Sequence, residues 1–373
     1  MVSPDVLDTH RSRIRAIDRH LVALLAERTH LAKEVGEIKV REGIPIRNFQ
    51  VEAEAIRLAR QEAEARGLRP EAAEEIVKLA IAEAVRVQER HRFLAHARTQ
   101  GRGQHVLVVG GRGNMGAWFA HFFASLGCHV ATSDPRGPLD GYPHEADAVT
   151  AAGRYDLVLL ATPPSTVGHL LEPLARVQGP LIVEISSLKS PFLALLQRLA
   201  AEGARVGSFH PMWGPKAEML ANRNVVICDL GNPQVNAELR ALFEDTAANV
   251  VEVPAEAHDA YMAYTLGLPH ALNLVYSRVL SKGPYALPAL APLGGPTFQK
   301  QTRVAEEVAR ENRDLYHQIQ RLNAHTPEIY AAIRAAMNEL EAALSQPEAF
   351  RAYMGACEAY YNAPVPLPKV TTL

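Results

Sequence analysis

The run His105-Val-Leu-Val-Val-Gly110-Gly111-Arg112-Gly113-Asn114-Met115-Gly116 constrains this chain more than any other stretch. A short apolar strand runs into glycines spaced G-x-G-x-x-G, at Gly111, Gly113 and Gly116, and an apolar helical segment follows. Each glycine has its own physical task. The first permits a tight turn, the second lets backbone approach a pyrophosphate, and the third lets the helix pack on the strand. The helix N-terminus, where Asn114 and Met115 lie, offers unpaired N–H groups to anionic oxygens. A second strand, His129–Ser133, ends at Asp134, 18 residues beyond Gly116. A carboxylate there accepts hydrogen bonds from an adenosine ribose. The pattern predicts a Rossmann-type α/β domain that binds NAD. Asp134 disfavours a 2′-phosphate, and therefore NADP, while Arg136 two residues later works against that preference.

Further strand-like runs lie at 156–161, 181–185, 205–208, 225–228 and 250–253, with helical segments between them. This alternation extends the α/β domain over 104–254. Ligands bind such domains at the C-terminal strand ends. The informative loops are therefore Thr162-Pro-Pro164, Ser186-Ser-Leu-Lys189 and Ser208-Phe-His-Pro-Met-Trp-Gly-Pro215. Thr162 falls on the cofactor side of that edge. From Ala255 the pattern is helical to about residue 362, with a break at 283–296, which predicts a separate all-α domain over 255–373. His210 follows the strand expected to end at Ser208, and a histidine at a strand end facing a cofactor can accept a proton at neutral pH. The pair His258-Asp259, at the start of the helical domain, reads as a structural or capping pair. His270 is intermediate between a structural and a pocket residue. Arg303 would be a carboxylate fork if it faces the cleft, and a helix-surface arginine otherwise.

The first hundred residues need a separate account. Apolar residues at Ile14, Ile17, Leu21, Leu24, Leu31, Val35 and Ile38 recur at heptad spacing, and no proline interrupts between Pro4 and Pro45. One helix of about 35 residues would be roughly 50 Å long. That length predicts packing against a partner chain. A second helix is expected from Phe49 to Arg66, and a third from Glu71 to about His96. Arg28 fills the gap in the stripe, and a buried guanidinium is costly unless paired. Lys39 lies roughly 16 Å further along the axis on nearly the same face, whereas Arg11 is roughly 25 Å away in the other direction. Arg11 can therefore join the same pocket only from an antiparallel partner. Gln88 and Glu52, on the third and second helices, could close a polar pocket.

Composition sets the remaining bounds. The 373 residues suggest two or three domains, with 48% hydrophobic and 21% charged residues. A net charge of −2 gives no general pull toward nucleic acid or membrane. Three scattered cysteines form no C-x-x-C, so no metal site is expected. Without a signal-like segment or a membrane-spanning run, a cytoplasmic protein is expected.

Residues 1–97 resemble the all-helical chorismate mutases in Arg11-Ser-Arg-Ile, Leu24-Leu-Ala-Glu-Arg28, Glu34-Val-Gly-Glu-Ile-Lys39 and Val85-Arg-Val-Gln88. The resemblance implies a homodimer with shared pockets and a helical mutase domain over 1–98. It implies that Arg28, and Arg11 of the other subunit, bind the carboxylates of chorismate. Lys39 and Gln88 would contact the ether oxygen, and Glu52 the ring hydroxyl. Such a pericyclic rearrangement needs no base, only a held conformer and cations where charge develops. The chain departs from the family at Asn48, Val51 and Ala84.

Residues 105–360 resemble prephenate dehydrogenases. Beyond the glycine turn, the resemblance lies in Ser186-Ser-Leu-Lys189, His210-Pro-Met-Trp-Gly-Pro215, His258-Asp-x-x-Met262, Leu268-Pro-His270 and Thr302-Arg-Val-Ala305. It implies that His210 binds the ring hydroxyl of prephenate and acts as base, with Ser187 hydrogen-bonded nearby. Arg303 would bind a substrate carboxylate, His270 would line the pocket, and the helical domain over 255–373 would be a substrate and dimerisation domain. Mutase followed by dehydrogenase is similar to the bifunctional enzymes of tyrosine synthesis, which make 4-hydroxyphenylpyruvate. Departures at Lys216 and Gln299 keep open the 4-amino-4-deoxy series of the same two reactions, or arogenate. A further alternative is a dehydrogenase whose helical module only dimerises.

Overall fold

The computed structural model describes residues 4–42, 49–99, 103–217, 220, 223–244, 246 and 248–362. Three helices come first: α1 (Pro4–Glu42), α2 (Phe49–Ala65) and α3 (Pro70–Thr99). The helix ends follow local chemistry. Gly67, at φ +71°, supplies the left-handed residue that closes α2, and Leu68 N–H returns to the Ala63 carbonyl. Pro70 starts α3, one residue before the expected Glu71, because a proline loses no hydrogen bond in a first turn. Both α1 and α2 pack on α3. At the buried Gly36 a β-carbon would lie 2.8 Å from Gln88 Cγ, so the missing side chain is what lets α3 seat Gln88 against α1. The heptad stripe of α1 stays uncovered. Leu7, Ile14, Ile17, Leu21, Leu24, Leu31, Val35 and Ile38 are 45–57% exposed.

The central domain is a seven-stranded sheet in the order β2-β1-β3-β4-β5-β6-β7. Its strands are β1 (His105–Val109), β2 (His129–Ser133), β3 (Leu157–Leu160), β4 (Leu181–Glu184), β5 (Val206–Pro211), β6 (Asn224–Asp229) and β7 (Asn249–Pro254). Strands β1 to β5 are mutually parallel, β6 runs antiparallel to β5, and β7 parallel to β6. Alternate residues of one strand feed opposite cores. Val106 and Val108 join one cluster with Phe119, Phe123 and Phe209, while Leu107 and Val109 join the other with Leu171 and Leu196. Burial on both faces explains why these strands read as unbroken apolar runs.

One strand differs from expectation in a way that matters. Strand β5 does not stop at Ser208 but continues through His210 to Pro211. The antiparallel partner β6 holds it there, pairing Phe209 with Ile227, His210 with Val226 and Pro211 with Val225. His210 is therefore a sheet residue with a fixed backbone, not a loop residue.

The C-terminal region is helical, as expected: Ala255–Met262, a π turn at Ala263–Gly267, then Leu268–Lys282, Pro296–Arg310, Arg313–Leu322, Thr326–Ala343 and Pro347–Asn362. The expected break at 283–296 holds a short helix, Leu287–Leu290, and a 3₁₀ turn, Ala291–Leu293. Among the described residues, no helix is long and apolar enough to cross a membrane.

Candidate active sites

Because β1 to β5 are parallel, their C-terminal ends share one edge of the sheet. The glycine turn leaves β1 at that edge. Gly110 takes φ +85°, a conformation that favours glycine, and Gly113 N–H closes on the Gly110 carbonyl at 2.8 Å. A β-carbon on Gly111 would lie 2.6 Å from Thr132 Cβ, and one on Gly116 would lie 2.0 Å from Gly110 O. Helix α4 (Asn114–Ser125) then starts with Gly113 as its cap and no side chain on its free N–H groups. The cradle is thus bare backbone at a helix N-terminus, the arrangement that suits a pyrophosphate. Across the same edge, after β3, the buried Thr162 Oγ1 has no hydrogen-bond partner among the described residues. Its hydroxyl therefore keeps unused hydrogen-bonding capacity beside the glycine turn.

Asp134 stands at the end of β2 and is already engaged. Its carboxylate accepts the Arg112 and Arg136 N–H groups at 3.0 and 2.9 Å, and Arg136 Nε and Nη2 at 3.0 and 3.1 Å. Arg112 Nη1 donates to the Arg136 carbonyl at 2.9 Å. Burial raises the carboxyl pKa, but the Arg136 guanidinium and the two N–H groups outweigh it and hold Asp134 below the ordinary value. Arg136, noted in the sequence only as a weakening influence, is the direct ion-pair partner of this acid.

Near the end of β5 lies a buried polar network. His210 is 4% exposed and His258 fully buried. His210 Nδ1 lies 3.2 Å from His258 Nε2, and His258 Nδ1 lies 2.7 Å from Asp259 Oδ1. Asp259 in turn accepts the backbone N–H of Lys189 at 2.9 Å, that of Ser190 at 2.6 Å, and the Ser190 hydroxyl. Beneath them the fully buried Lys189 Nζ donates to Glu184 Oε1 at 2.6 Å, Ser186 O at 2.8 Å and Phe209 O at 3.2 Å. Glu184 also accepts the Ser208 hydroxyl and, at 2.8 Å, Ser186 N–H. This buried pair ties the end of β4 to the strand that carries His210.

Burial lowers His210 well below an ordinary imidazole, with His258 and Lys189 adding to the effect and Asp259 opposing it. His258 is lowered too, by burial first, with its bond to Asp259 resisting. For Asp259, burial acts upward, but the bonds from His258 and Ser190 and the Lys189 and Ser190 N–H groups hold it far below the usual carboxylate range. At neutral pH His210 and His258 are therefore neutral imidazoles beside the Asp259 carboxylate.

Two sequence expectations change here. His258-Asp259 was expected to be a structural or capping pair. Asp259 does cap the loop after β4, yet the pair also carries the hydrogen bond to His210. Ser187, expected beside His210, makes no hydrogen bond to it among those described, and the partner is His258. No local signal marks this contact, since 48 residues separate the two histidines and only the sheet brings them together.

His270 stacks on Tyr316 with ring centroids 4.1 Å apart, and its buried Nδ1 has no partner among the described residues. Burial lowers its pKa, opposed weakly by Glu311. Arg303 is on the helix surface of this chain, with its side chain 82% exposed and Nε 3.3 Å from Glu307. The described chain alone brings no cleft around it.

In the N-terminal helices, Arg28 is half-buried and donates from Nη1 to the Ala80 carbonyl of α3 at 2.6 Å. That bond satisfies one of its five N–H groups and leaves the fork oriented. Buried Gln88 donates from Nε2 to the Ala32 carbonyl at 2.8 Å, which fixes its amide between α1 and α3. Lys39 is partly buried near the far end of α1. Arg11 is exposed and 3.4 Å from Asp8. Within one chain it does not join Arg28. The side chain of Glu52, like Asn48, lies outside the described residues.

Comparison with known proteins gives two matches in the same order as these two sites. Residues 10–89 match the family model "Chorismate mutase type II", and residues 140–252 match "Prephenate dehydrogenase, nucleotide-binding domain". The second match begins beyond the glycine turn and Asp134. A T-protein of Enterobacter agglomerans is 29% identical over 83% of this chain and 80% of its own length. A 4-amino-4-deoxyprephenate dehydrogenase of Streptomyces pristinaespiralis is 28% identical over 59% of this chain and 78% of its own. The crystal structure of Aquifex aeolicus prephenate dehydrogenase, in complex with hydroxyphenyl propionate and NAD+, covers 69% of this chain and 97% of that one. Its TM-score is 0.54 at 18% identity, a likeness of fold.

Proposed function

We infer that this chain, which joins a type II chorismate mutase domain to the nucleotide-binding domain of a prephenate dehydrogenase, is a bifunctional enzyme of tyrosine biosynthesis. It rearranges chorismate to prephenate and then oxidatively decarboxylates prephenate to 4-hydroxyphenylpyruvate. The succession of the two domains in one chain carries the reading, since the product of the first reaction is the substrate of the second.

The mutase half works by holding its substrate. Arg28, oriented by Ala80, receives one carboxylate, and Arg11 of a partner chain receives the other. Lys39 and the second N–H of the Gln88 amide face the ether oxygen, where negative charge grows as the C–O bond breaks. Glu52 reads the ring hydroxyl. The exposed stripe of α1 is the surface the partner covers, because a helix this long cannot be covered by α2 and α3 alone. The enzyme is therefore a homodimer, with a second contact between the C-terminal helical domains. We place it in the cytoplasm.

The dehydrogenase half uses NAD. Gly111, Gly113 and Gly116, with the N–H groups of Asn114 and Met115, hold its pyrophosphate, Asp134 its adenosine ribose, and Thr162 supplies a hydroxyl at the same edge. When bound, NAD supplies the acceptor for the hydride that leaves the ring carbon. His210 accepts the hydroxyl proton from that carbon, and its neutrality at physiological pH makes it ready to do so. Ser187 lies on the loop beside this site, Arg303 binds a substrate carboxylate, and His270 closes the pocket. Loss of carbon dioxide aromatises the ring and makes the step irreversible.

The test is a product assay on the purified full-length chain with chorismate and NAD. One NADH and one 4-hydroxyphenylpyruvate per chorismate are expected. Formation of prephenate alone, or no consumption of chorismate, would overturn the corresponding half. The Streptomyces relative favours one second reading, the 4-amino-4-deoxy series, and a parallel arm with 4-amino-4-deoxychorismate decides it. Lys216 speaks against a protonated amine near the polar end of the substrate.

A further inference from the structure

We propose that His258 and Asp259 are positioning residues that fix the tautomer of His210 and then share the proton it accepts. The inference rests on the dehydrogenase reading above and adds two residues that the sequence reading had treated as structural.

The geometry sets each proton in turn. Asp259 is ionised, so it can only accept hydrogen bonds. Its Oδ1 is 2.7 Å from His258 Nδ1, and that nitrogen must therefore carry the proton. His258 is neutral at pH 7, so its Nε2 keeps a lone pair and accepts. The atom facing it, 3.2 Å away, is His210 Nδ1, which must donate. His210 is left with a free lone pair on Nε2, the only form of a neutral imidazole that can take a hydroxyl proton from that side. Reversing the polarity at Asp259 would reverse the whole chain and put a proton on Nε2.

The same contacts give the accepted proton a destination. When the substrate O–H bond breaks, its proton forms a bond to His210 Nε2. The Nδ1 proton can then cross to His258 Nε2, leaving His210 neutral and His258 cationic beside the Asp259 carboxylate. No other co-reactant is needed. The charged groups around the pair are Lys189 on the loop after β4, Glu184 on β4 itself, and Asp259 on the same helix as His258. Lys189 is bonded to Glu184, so Asp259 is the anion that faces the histidines directly. Asn323 holds the Asp259 backbone by donating to its carbonyl at 2.8 Å, which binds the relay to the C-terminal helices.

The experiment uses the full-length chain labelled with ¹⁵N-histidine and two variants, with calorimetric NAD affinity and chorismate mutase activity as controls. Wild type is expected to show His210 protonated at Nδ1. In Asp259→Asn the amide can donate to His258. His210 should then shift to the Nε2–H form and kcat for prephenate should fall by about 10³-fold or more, by analogy with other orienting carboxylates. Because Asp259 also caps a loop, His258→Gln is the second variant. Its amide can accept from His210 and donate to Asp259 but cannot hold a proton. The Nδ1–H tautomer should persist, KM and NAD affinity should stay within about twofold, and kcat should fall roughly tenfold, with general acid–base help partly lost. The acid limb of kcat/KM should shift, because His258 no longer acts on the His210 imidazole. An Nε2–H tautomer in wild type overturns the proposal, as does a His258→Gln enzyme with unchanged kcat and pH profile. If wild type fails to oxidise prephenate, the functional reading falls, while the tautomer measurement, which needs no substrate, still decides the relay.

Discussion

At Gly116 the space for a β-carbon is already taken by the Gly110 carbonyl oxygen, 2.0 Å away. Gly116→Ala must push α4 from the turn, at about 1–3 kcal/mol, or about five- to 150-fold in NAD affinity. Calorimetric titration checks this, and mutase activity should not change. Arg136 makes the opposite kind of prediction. Its guanidinium neutralises the acid that would repel a 2′-phosphate. In Arg136→Ala the ratio of NADP to NAD dissociation constants should rise by about tenfold, the worth of one charge-assisted contact. Single residues with backbone tasks were the most legible in the sequence, because a glycine or an acid at a fixed offset has few alternative explanations. His258 was not. A histidine followed by aspartate at a helix start reads as a cap, and nothing in its neighbourhood reveals a partner on a distant strand.

Helix α1 shows what a periodic pattern can and cannot give. Its heptad stripe predicted one long helix, and the structure contains one of 39 residues. The stripe also predicted that this face would be needed elsewhere, and α2 and α3 leave it bare. Leu24→Glu places a charge on the stripe four residues before Arg28. It should leave helicity intact, break the contact between the two α1 helices and abolish mutase activity, while the C-terminal contact still holds the two chains together in sedimentation. Persistence of full mutase activity in this variant would remove Arg11 of the partner from the pocket. Strand β5 is the contrasting case. Its end could not be read from its own residues, because what extends it through His210 is pairing with β6, an antiparallel neighbour that a single strand does not announce.

For the whole molecule, acid is the informative variable. His210 and His258 have folded-state values below the ordinary imidazole value of about 6.5. Below that pH the unfolded chain takes up protons that the folded chain refuses, so these two groups lower stability progressively as pH falls beneath about 6.5. Asp259 acts in a second window. Its stabilisation is present above the unfolded carboxylate value of about 3.9 and is lost as pH falls through its depressed folded value. Thermal scans of the whole chain should thus show the dehydrogenase transition falling from about pH 6.5 downward, while the three-helix domain, with no buried histidine among its described residues, holds its transition over the first of these windows.

The loop that follows His210 is fastened to α4. Trp213 lies 5.4 Å from Trp118, and the Trp118 indole N–H donates to the Ala217 carbonyl at 2.6 Å. These are the only two tryptophans in the chain. All indole fluorescence therefore originates at one clasp between α4 and the loop beyond His210, and the mutase half is dark to it. Circular dichroism at 222 nm, in contrast, sees every helix. A denaturant titration followed by both signals asks whether the two enzymes unfold as one cooperative unit. Coincident curves would mean that the mutase lends its dimer's stability to the dehydrogenase, and separated curves would mean that each half stands or falls alone.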